Sequence, residues 1–172
     1  ISGSTIFPSI EGTRPVLIEM QALVSQTNMA APRRAVVGWD SNRLSMMIAV
    51  LATRYGMNLH NYEVYLNVVG GLRVIEPAAD LAVVCSLLSA MYNKPIGEDT
   101  VVFGEVGLSG EVRRVSSIYS RLKEAAKLGF KKAIIPEESQ TVKKVPGLQV
   151  FEISHVKQLK SFFSKDYEVE RG

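Results

Sequence analysis

The apolar run from Leu81 to Met91 constrains the fold of this chain more than any other segment. Its apolar residues lie on all sides of a helix rather than along one stripe, which is typical of a helix that is buried on more than one side. The preceding residues, Glu76-Pro77-Ala78-Ala79-Asp80, place a proline where the first turn of a helix needs no N–H group. The sequence therefore predicts a central, buried helix over residues 77–91.

Segments with strand and helix patterns alternate on both sides of this helix. The pattern predicts a strand over 14–24 with a hairpin partner over 32–38, and a pair of strands over 101–103 and 111–113. Further strands are predicted over 62–69, 132–135 and 148–151. Helices are predicted from Asp40 or Ser41 to Tyr55, from Ser116 or Ser117 to Gly129, and after Ser154, with these serines or the aspartate as caps. The alternation indicates an α/β (α+β) fold with mixed sheets and packed helices.

The composition favours one globular domain and excludes several classes of protein. The chain has 172 residues, of which 47% are hydrophobic and 22% charged, and this is ordinary for a globular domain. One cysteine and two histidines are too few for a disulfide framework or a metal site of familiar spacing. No apolar stretch reaches membrane-spanning length, and the first residues carry no signal pattern. We expect a cytoplasmic protein without a metal or membrane partner.

Two side chains inside the apolar run are interpreted as core residues. Cys85 is expected to be a buried small hydrophobe rather than a reactive thiol. The Ser86 hydroxyl is expected to hydrogen-bond to its own helix.

The segment from Glu76 to Asp80 resembles the nucleophile motif of the Lon protease domain, Gly-Pro-Ser-Ala-Gly followed by an apolar helix. The resemblance extends through Gly104-Glu105, Gly110-Glu111-Val112, Ala125-Ala126 and Gly129. It implies that Ala78 occupies the position of the serine and that Arg121 occupies the position of the catalytic lysine, with Tyr119 as the alternative. A Ser–Lys dyad needs a hydroxyl and an amine that can accept its proton, whereas arginine stays protonated. The resemblance thus implies a pseudo-protease with no catalytic residues.

The chain is also similar to the C-terminal Lon-like domain of the RadA (Sms) family of bacterial DNA-repair ATPases. The blocks that carry this similarity include Ile10-Glu11-Gly12-Thr13-Arg14-Pro15, Asn67-Val68-Val69-Gly70-Gly71 and Val102-Phe103-Gly104-Glu105-Val106-Gly107-Leu108. The similarity implies a Lon-like domain over 1–165, a frayed tail over 166–172, and a longer parent ATPase that binds ATP, magnesium and zinc, none of which this fragment is expected to hold. It also implies a homo-oligomer, in particular a hexameric ring, sequence-independent contact with DNA, and a recombinase as a partner.

The arginines near the ends of predicted elements are candidate DNA contacts. A net charge of +3 and a sequence pI near 9.0 indicate nucleic-acid binding only weakly. Arginine binds phosphate through a planar fork, and the contacts add when a ring repeats them. We expect DNA contacts from Arg34, Arg43 and Arg73 first, and then from Arg33 and Arg113. The alternative is that these arginines are solvated or pair with carboxylates. The lysine-rich residues are expected to form a solvated face; they are Lys123, Lys127, Lys131, Lys132, Lys143 and Lys144.

The sequence therefore predicts a non-proteolytic, Lon-like domain that serves as an oligomerisation scaffold and a basic DNA-contacting surface. Two alternatives stay open. The first is a Lon-like peptidase with an unorthodox nucleophile. The second is a protein-interaction scaffold of another ATPase that has no role with DNA.

Overall fold

A computed structural model describes residues 1–138 and 145–163, and in this part of the chain helices pack against a mixed, seven-stranded sheet. The strand order is β3-β4-β2-β1-β5-β8-β9, and β6 and β7 form a separate two-stranded sheet. The strands are β1 (Ser4–Glu11), β2 (Arg14–Gln26), β3 (Arg34–Val37), β4 (Tyr62–Val68), β5 (Thr100–Val102), β6 (Glu105–Val106), β7 (Val112–Arg113), β8 (Lys132–Pro136) and β9 (Gln149–Ile153). The predicted α/β class is confirmed. The predicted boundary at residue 165, the tail over 166–172, and Lys143 and Lys144 of the predicted solvated face lie outside the described residues.

The central helix forms as predicted. A 3-10 turn over Pro77–Ala79 leads into α2 (Asp80–Tyr92), in which every residue from 80 to 89 is buried. The helix packs on β1 and β2, and α1 (Ser41–Val50) lies against it. Cys85 is fully buried, and burial raises the pKa of its thiol. The prediction for Ser86 is wrong in one respect, because its hydroxyl hydrogen-bonds to Thr5 on β1 at 2.6 Å rather than to its own helix.

Strand β2 has a different hairpin partner from the predicted one. The segment before it, which the pattern did not predict to be a strand, forms β1 and pairs with β2 in antiparallel register from Glu11↔Arg14 to Ser4↔Gln21. The other edge of β2 is occupied by β4, so β3 has no edge of β2 to join and pairs parallel with β4 instead. Pro8 made the first segment a poor candidate for an inner strand. Its missing N–H is tolerated because β1 meets β5 only at Ile6↔Val101.

The predicted pairing of 101–103 with 111–113 is wrong for the same reason. Strand β5 lies between β1 and β8 and has no free edge. After β5 the chain turns away from the sheet, and the N–H of Gly104 donates to the carbonyl of Ala78 at 2.8 Å. Strand β7 therefore pairs with β6 across the turn, with Val112 opposite Val106.

The remaining helices begin where expected, but two of the predicted caps are wrong. Asp40 caps α1 as predicted, and this helix continues as a π-helical turn over Leu51–Tyr55 that ends at left-handed Gly56. Ser117 precedes α3 (Ile118–Lys127) in a left-handed conformation without a side-chain cap. The 3-10 helix Val156–Leu159 is capped by His155 and not by Ser154. No helix within the described ranges is long and apolar enough to span a membrane.

Candidate functional site

The backbone around Ala78 is held by the chain that leaves β5. The carbonyl of Ala78 accepts a hydrogen bond from the N–H of Gly104, and the carbonyl of Gly104 accepts one from the N–H of Leu81 at 2.9 Å. A side chain on Gly104 would lie 3.1–3.3 Å from Val112, Pro136 and Leu81, which is tighter than ordinary packing. The first turn of the central helix is therefore fixed against a neighbouring loop, and Ala78 is buried within it.

Arg121 on α3 lies fully buried beside this turn and forms an ion pair with Glu76. Its terminal nitrogens donate to the two Glu76 carboxylate oxygens at 2.5 and 3.4 Å. The same guanidinium donates to the carbonyl of Pro8 at 2.6 Å and, through Nε, to the carbonyl of Ser116 at 3.0 Å. One cation thus links β1, the turn before α2 and the start of α3.

The partners of Arg121 compensate for the loss of water around its charge. The guanidinium carbon lies 5.7 Å from the ring centre of Phe7 and 5.6 Å from that of Phe103, so aromatic faces contribute to its binding. Glu76 is itself held, because its carboxylate accepts from the N–H of Ile10 at 2.6 Å. Within the described residues, no buried side-chain nitrogen or oxygen lacks a hydrogen-bond partner. The charge is buried in a fully paired state.

A small, open pocket of about 200 Å³ lies over this ion pair. The structure brings the two positions predicted for the degenerate dyad together, because Ala78 and Arg121 both line this pocket. Glu105, Arg114 and Ser116 complete its polar wall, while Tyr119 is partly exposed and does not line it. Arginine donates hydrogen bonds and does not accept a proton, so the pocket holds a fixed cation at the position predicted for a general base.

A second buried ion pair lies on the other side of Ala78. Asp80 is fully buried, and Arg43 at the start of α1 donates to both of its carboxylate oxygens, at 2.8 and 2.5 Å. The N–H of Val106 donates to the same carboxylate at 3.0 Å. Burial raises the pKa of the Asp80 carboxyl, while Arg43 and the Val106 N–H act in the opposite direction. The hydrogen bonds that Arg43 donates to Asp80 in turn raise the pKa of Arg43.

The five arginines predicted to contact DNA do not lie on one surface of the chain. Arg33 and Arg34 lie at the amino end of β3, whereas Arg73 follows the carboxyl end of its parallel neighbour β4. Arg34 donates to the carbonyls of Leu59 and Tyr62 and so holds the loop before β4. The DNA contacts stay a prediction.

The fraction of the side chain that is available to a partner differs among Arg43, Arg113 and Arg73. Arg43 is 26% exposed and is bound to Asp80. Arg113 lies in the β6–β7 hairpin, where it pairs with Glu111 at 2.8 Å and lies 3.9 Å from Glu105. Arg73 is exposed, and none of the hydrogen bonds or ion pairs in 1–138 and 145–163 involves it. Of the predicted set, Arg33, Arg73 and Arg113 are exposed, whereas Arg34 and Arg43 are partly buried.

Sequence patterns did not predict the two ion pairs that flank Ala78. The sequence does indicate that Asp80 has a partner. Asp80 is the first residue of an almost wholly apolar helix, and a buried charged side chain is normally paired. The pattern does not identify the partners, because they are distant in sequence. Arg43 is 37 residues from Asp80, and Arg121 is 45 residues from Glu76. Among the described residues, no group of three or more His, Cys, Asp or Glu side chains could hold a metal ion.

Comparison with known proteins places the chain in a family. The family model described as subunit ChlI of Mg-chelatase matches residues 21–139, and the chain belongs to this family. The match begins within β2 and runs through β8, and it therefore includes Ala78, Arg121 and both ion pairs.

The chain is also similar to proteins named DNA repair protein RadA. It is 51% identical to the one from Rickettsia felis over 161 residues, which is 93% of this chain and 35% of that protein. It is 47% identical to the one from Pseudomonas aeruginosa over 92% of this chain and 35% of that protein. The RadA protein of Halalkalibacterium halodurans is 52% identical over 81% of this chain and 30% of its own length. The chain thus spans about a third of the length of the curated relatives it matches.

The buried pair of Glu76 and Arg121 predicts a strong energetic coupling. Glu76→Gln and Arg121→Met should each lower the free energy of unfolding by about 3–5 kcal/mol, because each leaves a buried charge without its partner. The double variant should lose less than the sum of the two. Urea unfolding of the three variants measures this coupling.

The exposed pair of Arg113 and Glu111 supplies a matched control, since its nitrogen–oxygen distance of 2.8 Å is similar. Arg113→Met should lower the free energy of unfolding much less than Arg121→Met does, because water screens the exposed pair. Equal losses at the two sites would show that burial does not govern the Arg121 pair.

The Arg43 pair predicts a stability loss that depends on pH. A raised pKa in the folded state means that the folded chain binds the Asp80 proton more tightly than the unfolded chain, so ionising Asp80 costs stability as the pH rises. Arg43→Ala removes the main group that opposes this shift. The free energy of unfolding of the variant should fall by about 3 kcal/mol near neutral pH and by less at a pH about two units lower. Urea unfolding at the two pH values measures this difference. In Arg43→Ala/Asp80→Asn the extra pH dependence should disappear, and its persistence would assign it to another group.

Proposed function

We propose that this chain is a non-proteolytic, Lon-like domain of a RadA-type DNA-repair ATPase, and that it serves as an oligomerisation scaffold with a DNA-contacting surface. The choice of parent is supported by the relatives named DNA repair protein RadA, which match over most of this chain. The role in an assembly is supported by the family model, which is described as a subunit of Mg-chelatase. The parent protein is proposed to be cytoplasmic, to bind ATP, magnesium and zinc outside these residues, and to meet a recombinase.

The observation that carries the non-proteolytic part of the proposal is the buried guanidinium of Arg121. A Lon-type mechanism needs a neutral amine beside a serine hydroxyl. Ala78 has only a methyl group, and Arg121 donates to Glu76, Pro8 and Ser116. In the proposed assignment, the guanidinium of Arg121 takes the position of the general base and forms an ion pair with Glu76 instead. This arrangement supports a scaffold over the alternative of a peptidase with an unorthodox nucleophile.

Arg33 and Arg73 are the main DNA contacts in this proposal. Arg34 and Arg43 hold a loop and a buried carboxylate, so phosphate would have to compete with partners inside the fold. Arg113 is paired with an exposed glutamate, which phosphate can displace at small cost. Arg33 and Arg73 lie at opposite ends of the β3–β4 pair, at least about 13 Å apart. Contacts this far apart suit a backbone that runs past several copies of the chain rather than one recognition site.

Assembly is proposed as a ring of identical chains, and specifically a hexamer, as in the predicted parent. A ring repeats each phosphate contact around one channel. Individually modest contacts then add to a binding free energy that depends strongly on salt and not on DNA sequence. The alternative scaffold without a DNA role predicts no such binding.

The proposal predicts that the chain does not hydrolyse protein. Casein should stay intact in its presence, and a serine-directed phosphonate probe should leave it unlabelled. Ala78→Ser/Arg121→Lys should also stay inactive, because the Glu76 carboxylate keeps the introduced amine protonated. A Lon protease with an intact Ser–Lys dyad serves as the positive control. Casein digestion that disappears when one side chain of this chain is replaced would refute the proposal.

The DNA-contacting part predicts a salt-dependent affinity for duplex DNA. Arg33→Gln and Arg73→Gln should each weaken binding to unrelated duplexes equally, and each should reduce the slope of log K against log salt by about 0.9 for every phosphate that the variant no longer binds. Fluorescence anisotropy at several salt concentrations measures both effects. Lys127→Gln is the matched control, because it removes the same charge from the exposed face of α3. If the control weakens binding as much as the other two, net charge rather than the proposed surface accounts for it.

A further inference from the structure

The turn between β6 and β7 presents a large apolar side chain to solvent. Leu108 lies in this turn and is 63% exposed. The N–H of Gly110 closes the turn by donating to the carbonyl of Gly107 at 2.9 Å, and the N–H of Gly107 donates to the carbonyl of Glu111 at 2.9 Å. The backbone therefore folds tightly at this point and leaves the side chain of Leu108 on the surface.

Side chains from two other parts of the fold hold the carbonyl groups of this turn. Arg54, in the π-helical turn after α1, donates through Nε to the carbonyl of Leu108 at 3.3 Å. His155 accepts from the N–H of Lys157 at Nδ1, so its Nε2 carries the proton and donates to the carbonyl of Ser109 at 2.9 Å. The turn is thus attached both to the end of α1 and to the 3-10 helix that His155 caps.

Gly110 allows the turn to lie directly against these two side chains. Its φ is +84°, and a Cβ atom there would lie 2.6 Å from the ring of His155 and 2.9 Å from the Cβ of Arg54. A larger residue would therefore push the turn away. The carbonyl of Gly110 also accepts from the N–H of Val156 at 2.9 Å. Leu108 is consequently presented on a preorganised support, which lowers the entropy cost of binding a partner.

Basic side chains lie around Leu108. Arg54 is exposed, and among the described residues its side chain makes only the Nε hydrogen bond to the turn. That bond orients the guanidinium and leaves the two terminal nitrogens for a bidentate contact with a phosphate. Lys157 is exposed and follows His155 by two residues, and the Nζ of Lys160 lies 5.2 Å from the ring centre of Tyr55. The cations thus come from both elements that hold the turn.

The acidic side chain that borders the turn is bound to a cation of its own. The carboxylate of Glu111 accepts from two nitrogens of Arg113 at 2.8 and 3.2 Å. It also accepts from the N–H of Ser109 at 3.1 Å. A partner that reaches Leu108 therefore meets an apolar side chain with positive charge around it.

Duplex DNA has the chemistry that complements this surface. Its phosphates bind arginine and lysine, and proteins that bind in the minor groove frequently insert an apolar side chain such as leucine between two base pairs. Such a wedge makes no hydrogen bond to base edges, so it is compatible with binding that does not depend on sequence. An acidic protein would satisfy the cations, but the proposed function of this chain favours DNA.

The proposed DNA contact at Arg33 lies at the same end of the fold. Helix α1 connects the parallel strands β3 and β4, so it runs back from the carboxyl end of β3 toward the amino end of β4. Arg54 follows this helix, and Arg33 precedes β3. Both residues therefore lie toward the amino ends of these strands.

We infer that Leu108 is inserted into duplex DNA as an apolar wedge, while Arg54 and Lys157 bind neighbouring phosphates. The inference rests on the proposed function and adds a contact with the base stack to contacts with the backbone. Insertion partly separates two stacked base pairs and bends the duplex. The energetic cost is lowest at flexible pyrimidine–purine steps, so these steps are the expected points of insertion.

Replacing Leu108 separates the wedge from the charges. Leu108→Ala should weaken binding to duplex DNA about 10-fold, because it removes apolar surface that the DNA buries. The slope of log K against log salt should not change. Arg54→Gln and Lys157→Gln should each reduce that slope by about 0.9 for every phosphate that is no longer bound. Fluorescence anisotropy at several salt concentrations measures both quantities. Leu128→Ala is the matched control, because Leu128 is 56% exposed and follows α3, and it should bind like the wild type.

A duplex that contains 2-aminopurine reports the wedge directly. Stacking quenches the fluorescence of this base analogue, so the wild-type chain should raise the fluorescence when it saturates the duplex. Leu128→Ala should raise it equally, whereas Leu108→Ala at saturation should leave it quenched. Circular dichroism should show the same fold for all three proteins, because both leucines are exposed. An unchanged signal with the wild type, or an increase that persists in Leu108→Ala, overturns the wedge.

The outcomes distinguish this inference from the proposed function. A wild-type chain that binds no DNA at any salt concentration overturns both the DNA-contacting proposal and the wedge. Salt-dependent DNA binding with equal affinities for Leu108→Ala and Leu128→Ala overturns the wedge alone, and this result is also the one expected if Leu108 contacts an acidic protein instead.

Discussion

The buried guanidinium of Arg121 is the constraint on which the rest of the site depends. A cation that is removed from water is tolerated only when nearly all of its donors are used and a counter-charge lies against it. Glu76 supplies the charge, and the carbonyls of Pro8 and Ser116 accept the remaining hydrogen bonds. These partners come from β1, from the turn before α2 and from the segment just before α3. The position of one side chain therefore fixes how three elements meet.

The same interaction determines what the pocket can do. Stability requires Arg121 to stay charged and immobile, whereas a general base must lose and regain a proton. Both demands cannot be met by one guanidinium. Asp80 and Arg43 repeat the arrangement on the far side of Ala78, so the first turn of the central helix lies between two ion pairs. At this position of the pocket, Arg121 therefore holds elements in place and does not accept a proton.

Much of the fold could be predicted because its signals are local. The apolar run of α2, the Asp40 cap of α1 and the alternation in β2 and β4 each lie within one segment. The incorrect predictions concern which strands pair and which side chains contact each other. Which strand pairs with β2 depends on which edges are already occupied, and the pattern of a single strand does not contain that information. The sequence predicts Arg34 and Arg43 as DNA contacts. Their hydrogen bonds inside the fold could not be predicted, because the partners are distant in sequence.

The two ion pairs also bear on how such a domain keeps its geometry during evolution. Replacing a buried pair by apolar residues of similar volume is often neutral or stabilising, whereas removing one partner costs several kcal/mol. Single substitutions at Glu76, Arg121, Asp80 or Arg43 therefore pass through a destabilised chain, even if the double replacement is tolerated. This barrier favours the retention of both partners of each pair. A serine and a neutral amine introduced at positions 78 and 121 would require Glu76 to change as well, because its carboxylate would otherwise hold the amine in its charged form.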